Sequence, residues 1–81
     1  VHVAQGDLAQ LAREAAARAF AGWCAAITDR LRRDGWSEPA AEQAGLAVIS
    51  LIEGALILSR TSGHPAALDA AKASARRLLT V

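Results

Sequence analysis

Apolar residues recur along this chain at three- and four-residue spacings, and two Gly-containing turns interrupt the rhythm. That spacing predicts three amphipathic helices. The first should start near Asp7, a good N-cap followed at once by Leu8. Projected at 100° per residue, Leu8, Leu11, Ala12, Ala15, Ala16, Ala19, Phe20, Trp23, Ala26, Ile27 and Leu31 fall on one broad face. Gln10, Glu14, Arg18, Thr28 and Arg32 fall on the other. Glu14–Arg18 and Asp29–Arg33 are spaced to pair across one turn. Arg30, Arg32 and Arg33 crowd the last turn, where they complement the helix dipole, and Gly35 supplies a left-handed stop. The predicted span is about 7–34.

The second helix, about 38–61, opens on Ser37 as N-cap with Glu38 and Pro39 in its first turn. It ends at Thr61-Ser62-Gly63. Ala41, Ala44, Ala47, Val48, Leu51, Ile52, Ala55, Leu56 and Leu58 sweep an arc of roughly 200°, and Leu46 and Ile57 lie opposite, beside Ser50 and Gly54. A surface helix needs an apolar stripe of only about 100°. This helix is therefore expected to be buried on two sides, or to meet something outside the chain. The third helix, about 65–79, follows Gly63-His64 and carries Leu68, Ala71, Ala75, Leu78 and Leu79 on one face. Asp69, Lys72 and Arg76 share its polar edge. Short linkers make neighbouring helices antiparallel, so the predicted fold is all-α with three antiparallel helices. Such a core is small, and a twofold dimer through the second and third helices is the simplest cover for the surplus apolar surface.

Composition narrows the picture. Alanine fills 21 of the 81 positions and aromatics only 4%, which argues against a β-sandwich or barrel. A 53% apolar content with a net charge of +1 argues against disorder and offers no basic field for nucleic acid. The longest apolar stretch, Ala44 to Leu58, is interrupted by Glu53, so no membrane span is expected. A single Cys gives no disulfide framework and no structural zinc site, consistent with a reducing cytoplasm. His2 and His64 have no ligand-spaced partner. No phosphate-binding loop, metalloprotease motif or nucleophile–His–acid set is present, so an enzyme is not expected, and neither is a cofactor. The chain holds no Met, which fits a processed or excised fragment as well as simple removal of an initiator or a tag.

The run Ala19-Phe20-Ala21-Gly22-Trp23, then Ile27, Leu31 and Gly35, and finally Glu53-Gly54-Ala55-Leu56-Ile57-Leu58-Ser59-Arg60, resembles the C-terminal ligand-binding and dimerisation domain of TetR-family transcriptional regulators. The nearest branch is the one named for LmrA and YxaF, with its F-x-x-W helix, short Gly turn and E-G-A-L-x-L-A-R helix. The likeness covers about Asp7 to Leu79. Ser59 stands where the family often has Ala, and Cys24 where a basic residue is common. The resemblance implies a cytoplasmic homodimeric repressor whose last two helices pair with a symmetry mate as a four-helix bundle. It also implies a small apolar effector, and operator binding through an N-terminal helix-turn-helix domain. Neither a helix-turn-helix segment nor the helices that would line much of the effector pocket are present in these 81 residues, so the chain reads as the terminal three helices of a larger regulator, expected to dimerise without binding operator DNA. The competing reading is a free-standing helical interaction module.

Several residues carry the functional expectation. Phe20, Trp23 and Ile27 form the only aromatic cluster, readable as one wall of an effector pocket or as simple core. Glu53 interrupts an apolar run and falls within about 20° of Glu42 and Arg60. It is readable as an effector contact, as half of a dimer-spanning ion pair, or as an exposed charge reached by Arg30. Leu46, Ser50, Gly54 and Ile57, with Leu68, Ala71 and Ala75 of the third helix nearby, form the expected dimer seam. Trp36 reads as a lid on the first turn, Cys24 as a small helix residue, and the Arg32-Arg33 and Arg76-Arg77 pairs as helix C-termini.

Overall fold

The computed structural model describes residues 4–80; His2 lies outside them. It contains α1 (Gln5–Arg33), α2 (Glu38–Ser62) and α3 (Ala66–Leu79), with no strand among the described residues. α1 begins two residues before the expected Asp7. Ala4 is its N-cap, without a side-chain hydrogen bond, and Asp7 lies inside the first turn.

Each turn is built by a local device. At the end of α1, Gly35 adopts φ 97°, its N–H donates to the Arg32 carbonyl, and the Trp36 N–H reaches the Leu31 carbonyl, both at 3.0 Å. This is a Schellman ending, and its usual apolar contact is present: Trp36 packs on the Leu31, Ala41 and Ala44 cluster. Ser37 Oγ accepts from the Ala40 N–H, with Pro39 in the first turn of α2. At the far end of α2, Gly63 takes φ 68° and its N–H closes on the Ser59 carbonyl at 2.8 Å. His64 Nδ1 then accepts from the Ala66 N–H at 3.0 Å and so opens α3.

α2 is the central element. α1 and α3 each pack antiparallel against it, and their backbones do not approach one another closely. The Cα trace spans 51 × 31 × 13 Å; the Cα atoms of one helix span only about 5 Å across, so the three helices do not share one plane. The radius of gyration is 15.8 Å, against about 12 Å for a compact domain of this length. The chain is thus a bent single layer of helices, open on both faces.

The buried set is correspondingly small: Thr28 and Leu31 of α1, Ala41, Ala44, Gly45, Val48, Ile49 and Ala55 of α2, and Ala71 of α3. Thr28, expected on the polar face, is buried against Gly45. The reason lies in the register of α1. The stripe that meets α2 runs Leu31, Thr28, Cys24, and its continuation toward the N-terminus is Ala21, Ala17, Arg13 and Gln10. Those positions offer two methyls and then polar groups, so the first half of α1 gains little by closing on α2. Every described residue before Phe20 is exposed. The broad face expected for α1 is therefore buried along one edge only, and Leu8 and Leu11 are each 56% exposed on its far side.

Exposed charges follow the same local logic. Arg30 pairs with Asp34 at 3.3 Å, and Arg32 bridges Asp29 and Glu38 across the first turn. Asp29 thus pairs with Arg32 rather than with the expected Arg33. Glu14 accepts from the Gln10 side chain rather than pairing with Arg18. Asp69, Lys72 and Arg76 form no ion pair in α3.

Candidate functional site

The bend in the layer gives α2 two open apolar faces of different shape. Gly45 and Ile49 mark the side covered by α1, and Leu51 and Ala55 the side covered by α3. On the convex side, Leu46 is 63% and Ile57 61% exposed, and Ser50 and Gly54 lie between them. Ser50, Gly54 and Leu58 continue into a groove shared with Ala67, Ala70 and Ser74 of α3. This groove then widens to about 620 Å³ of open space beside Ala47, Ser74, Arg77 and Leu78. On the concave side, between α1 and α3, the stripe of α2 runs through Val48, Ile52, Ala55 and Ser59, of which only Ile52 is exposed.

The structure sorts the expected seam residues onto different surfaces. Leu46, Ser50, Gly54 and Ile57 share the convex face. Ala71 is buried inside the α2–α3 contact and is unavailable to a second chain. Leu68 and Ala75 follow the same helical stripe as Leu79, which borders α1 in a groove with Ala26, Ile27 and Leu31. They face the concave side. The residues of α3 that do border the convex face are Ala67, Ala70 and Ser74. Sequence reasoning missed them because their small side chains leave no apolar signal.

Phe20 and Trp23 stack edge to face, with centroids 5.2 Å apart at 75°. Trp23 is 54% exposed, Phe20 is half-buried, and Ile27 packs on the Leu31 cluster. Glu53 is half-buried on α2, about 140° around the helix from Val48, so it is not brought to the aromatic cluster. It forms no ion pair with Arg30, which is held by Asp34, and none with Arg60. Cys24 donates a long sulfur hydrogen bond to the Gly45 carbonyl at 3.9 Å, a packing contact at the α1–α2 crossing.

The electrostatic feature that departs most from ordinary behaviour lies at the first turn. A hydrogen bond from Arg32 holds the Glu38 carboxyl below the usual carboxylate range, with Glu42 adding to it and desolvation opposing it. The same Glu38 contact raises Arg32, with Asp29 and Glu42 adding to it. Among the described residues no three His, Cys, Asp or Glu side chains gather as a metal site. α2 is long and apolar enough to cross a membrane by length and composition, although Glu53 interrupts it. A third of that apolar window is buried inside the layer.

The sequence belongs to a known class. Residues 2–74 match the family model described as the C-terminal domain of LmrA/YxaF-like transcriptional regulators, and the chain belongs to this family of TetR C-terminal domains. Within the TetR regulators, the matching branch is the LmrA/YxaF-like one. No curated protein and no solved structure matches the chain significantly.

Proposed function

We propose that this domain is the regulatory and homodimerising part of a TetR-like transcriptional repressor that responds to a small apolar effector. Its family membership makes it a regulatory domain of that class. The observation that carries dimerisation is the convex face of α2, where Leu46 and Ile57 stand three turns apart and more than 60% exposed. Between them, Ser50 and Gly54 offer little bulk. Small residues flanked by aliphatics let a second helix cross closely, and a twofold operator makes one such face complementary to itself. With α2 and α3 from each copy, the assembly is a four-helix bundle. Phe20, Trp23 and Ile27 lie on the other side of the layer, where effector binding does not compete with dimerisation. The domain acts without catalysis, in the cytoplasm, and reaches operator DNA only through a helix-turn-helix part.

Sedimentation equilibrium tests the dimer. A twice-monomer mass that falls to monomer in Ile57→Arg is the expected result, and a monomer for the unaltered chain overturns it. The regulatory half is tested by operator release on effector addition when the domain is joined to its DNA-binding part. Release that is independent of effector overturns that half, and leaves the free-standing dimeric module.

A further inference from the structure

The border of the convex face carries opposite charges at its two ends. Glu42 and Arg60 stand about five turns apart on α2, and a whole number of turns brings side chains back to one line along a helix. That line runs beside Leu46 and Ile57, on the flank away from α3. Both residues are exposed. Glu42 stands near Arg32, whose guanidinium already bridges Asp29 and Glu38. Three carboxylates thus share one guanidinium at this end. Arg60, at the other end, forms no ion pair among the described residues. An acid early and a base late also suit the dipole of α2 itself. Their common line is what a second helix can read.

The rest of the convex face is ordered about the same point. Glu42 and Arg60 are centred on the level of Leu51. Leu46 and Ile57, 63% and 61% exposed, are centred between Leu51 and Ile52, and the small residues Ser50 and Gly54 on the level of Ile52. Suppose α2 meets a second copy of itself antiparallel, across a twofold axis. Each residue then faces the one that lies as far beyond the midpoint as it lies before it, on the same flank. Leu46 meets Ile57 of the second copy. Ser50 and Gly54 meet each other where the two backbones must come closest, and Glu42 meets Arg60 at both ends. A parallel pair would set Glu42 on Glu42 and Arg60 on Arg60, and would lay two helix dipoles side by side in the same sense. Glu53 is the one unfavourable position, because it lies near the midpoint on the same flank and its carboxylate stands near its own copy.

We propose that α2 pairs antiparallel with α2 of a second copy of this chain, centred at Leu51 and Ile52, and that Glu42 of each copy clasps Arg60 of the other. The proposal rests on the dimer reading above and adds to it the register and the residues that determine partner choice. The apolar pairs supply contact area, and the clasps supply selectivity. A related chain whose α2 lacks this acid–base order is refused, because like charges set opposite one another at an interface are strongly unfavourable.

Charge exchange on the full chain tests it, with association constants from sedimentation equilibrium and folding checked by circular dichroism. Glu42→Arg and Arg60→Glu each put like charges at both clasps. Each is expected to self-associate about tenfold more weakly than the unaltered chain. Arg60 is far from the first turn, so its variant leaves the Arg32 network intact. Mixed in equal amounts, the two variants rebuild both clasps and are expected to form a heterodimer as tight as the unaltered dimer. The double variant, with Glu42→Arg and Arg60→Glu in one chain, exchanges the two signs and is expected to regain self-association. Single variants as tight as the unaltered chain, or a double variant no tighter than the singles, overturn the register. Ile57→Arg separates that outcome from failure of the dimer itself. If it abolishes association while the charge variants do nothing, the convex face pairs two copies in another register and the clasp is overturned alone. An unaltered chain that stays monomeric overturns both readings.

Discussion

Thr28 of α1 packs directly on Gly45 of α2. A Cβ built on Gly45 would stand 2.6 Å from Thr28 Oγ1 and 3.1 Å from the Cys24 carbonyl oxygen. The glycine has ordinary helical φ, so its role is space rather than backbone freedom. Two long helices cross here because one of them has no side chain.

Gly45→Ala therefore sets helix propensity against overpacking. Ala gains about 1 kcal/mol over Gly in a helix. The clash involves a β-branched side chain and a backbone carbonyl, neither of which yields easily, and overpacking costs about 1–3 kcal/mol. The expected net effect is a loss of stability of about 1 kcal/mol, read by urea denaturation. In a Thr28→Ala background the penalty should shrink, because the nearer atom is gone. A double-mutant cycle with no coupling would show that the two helices do not meet there.

Gly54 is the opposite case on the same helix. Nothing lies within 4 Å of a Cβ built there, and the residue is exposed on the convex face. Gly54→Leu should leave each chain folded, with unchanged or raised helicity by circular dichroism, and should weaken self-association. An unchanged dimer mass by sedimentation would place the seam elsewhere.

The turn after α1 depends on Gly35 at φ 97°. An L-residue pays roughly 1–2 kcal/mol in the left-handed region. Gly35→Ala should lower the unfolding midpoint accordingly and disturb Trp36, which this turn lays on Leu31. The Trp emission spectrum reports the second effect. A variant as stable as the parent would mean that the Schellman ending contributes little.

Acid should loosen the same turn. The Glu38 carboxyl is held below its ordinary value chiefly by Arg32, so its folded form binds a proton less readily than its unfolded form. The contribution is fully present above the ordinary carboxylate range and is lost as pH falls through the lowered folded value. The pair is exposed, so the loss is small and salt-sensitive. Glu38→Gln should flatten that part of the acid limb of a stability–pH profile, and an unaltered limb would remove the pair from the account.

Much of the fold is legible in the sequence because its signals are local. Ser37 with Pro39, Gly35 with Trp36, and Gly63 each fix a helix end by hydrogen bonds within a few residues. The three helices follow to within two residues. The same 3.6-residue period also marks α2 as apolar on more than one side, which is enough to expect a partner. The sequence motifs around Phe20–Trp23 and Glu53–Arg60 resemble the regulator family to which residues 2–74 belong.

The faces were decided only in three dimensions. A helical projection orders residues around an axis and does not say which angle a neighbour occupies. Thr28 looked polar and is buried, because Gly45 opposite it has no side chain. Leu11 looked like core and is exposed, because the stripe of α1 that meets α2 turns polar at Arg13. Leu68, Ala71 and Ala75 looked like one seam. The seating of α3 on α2 buries Ala71 and leaves the other two on the flank that carries Leu79. Composition and period determined that this chain makes helices with surplus apolar surface; the crossing of α1, α2 and α3 determined which parts of that surface remain open.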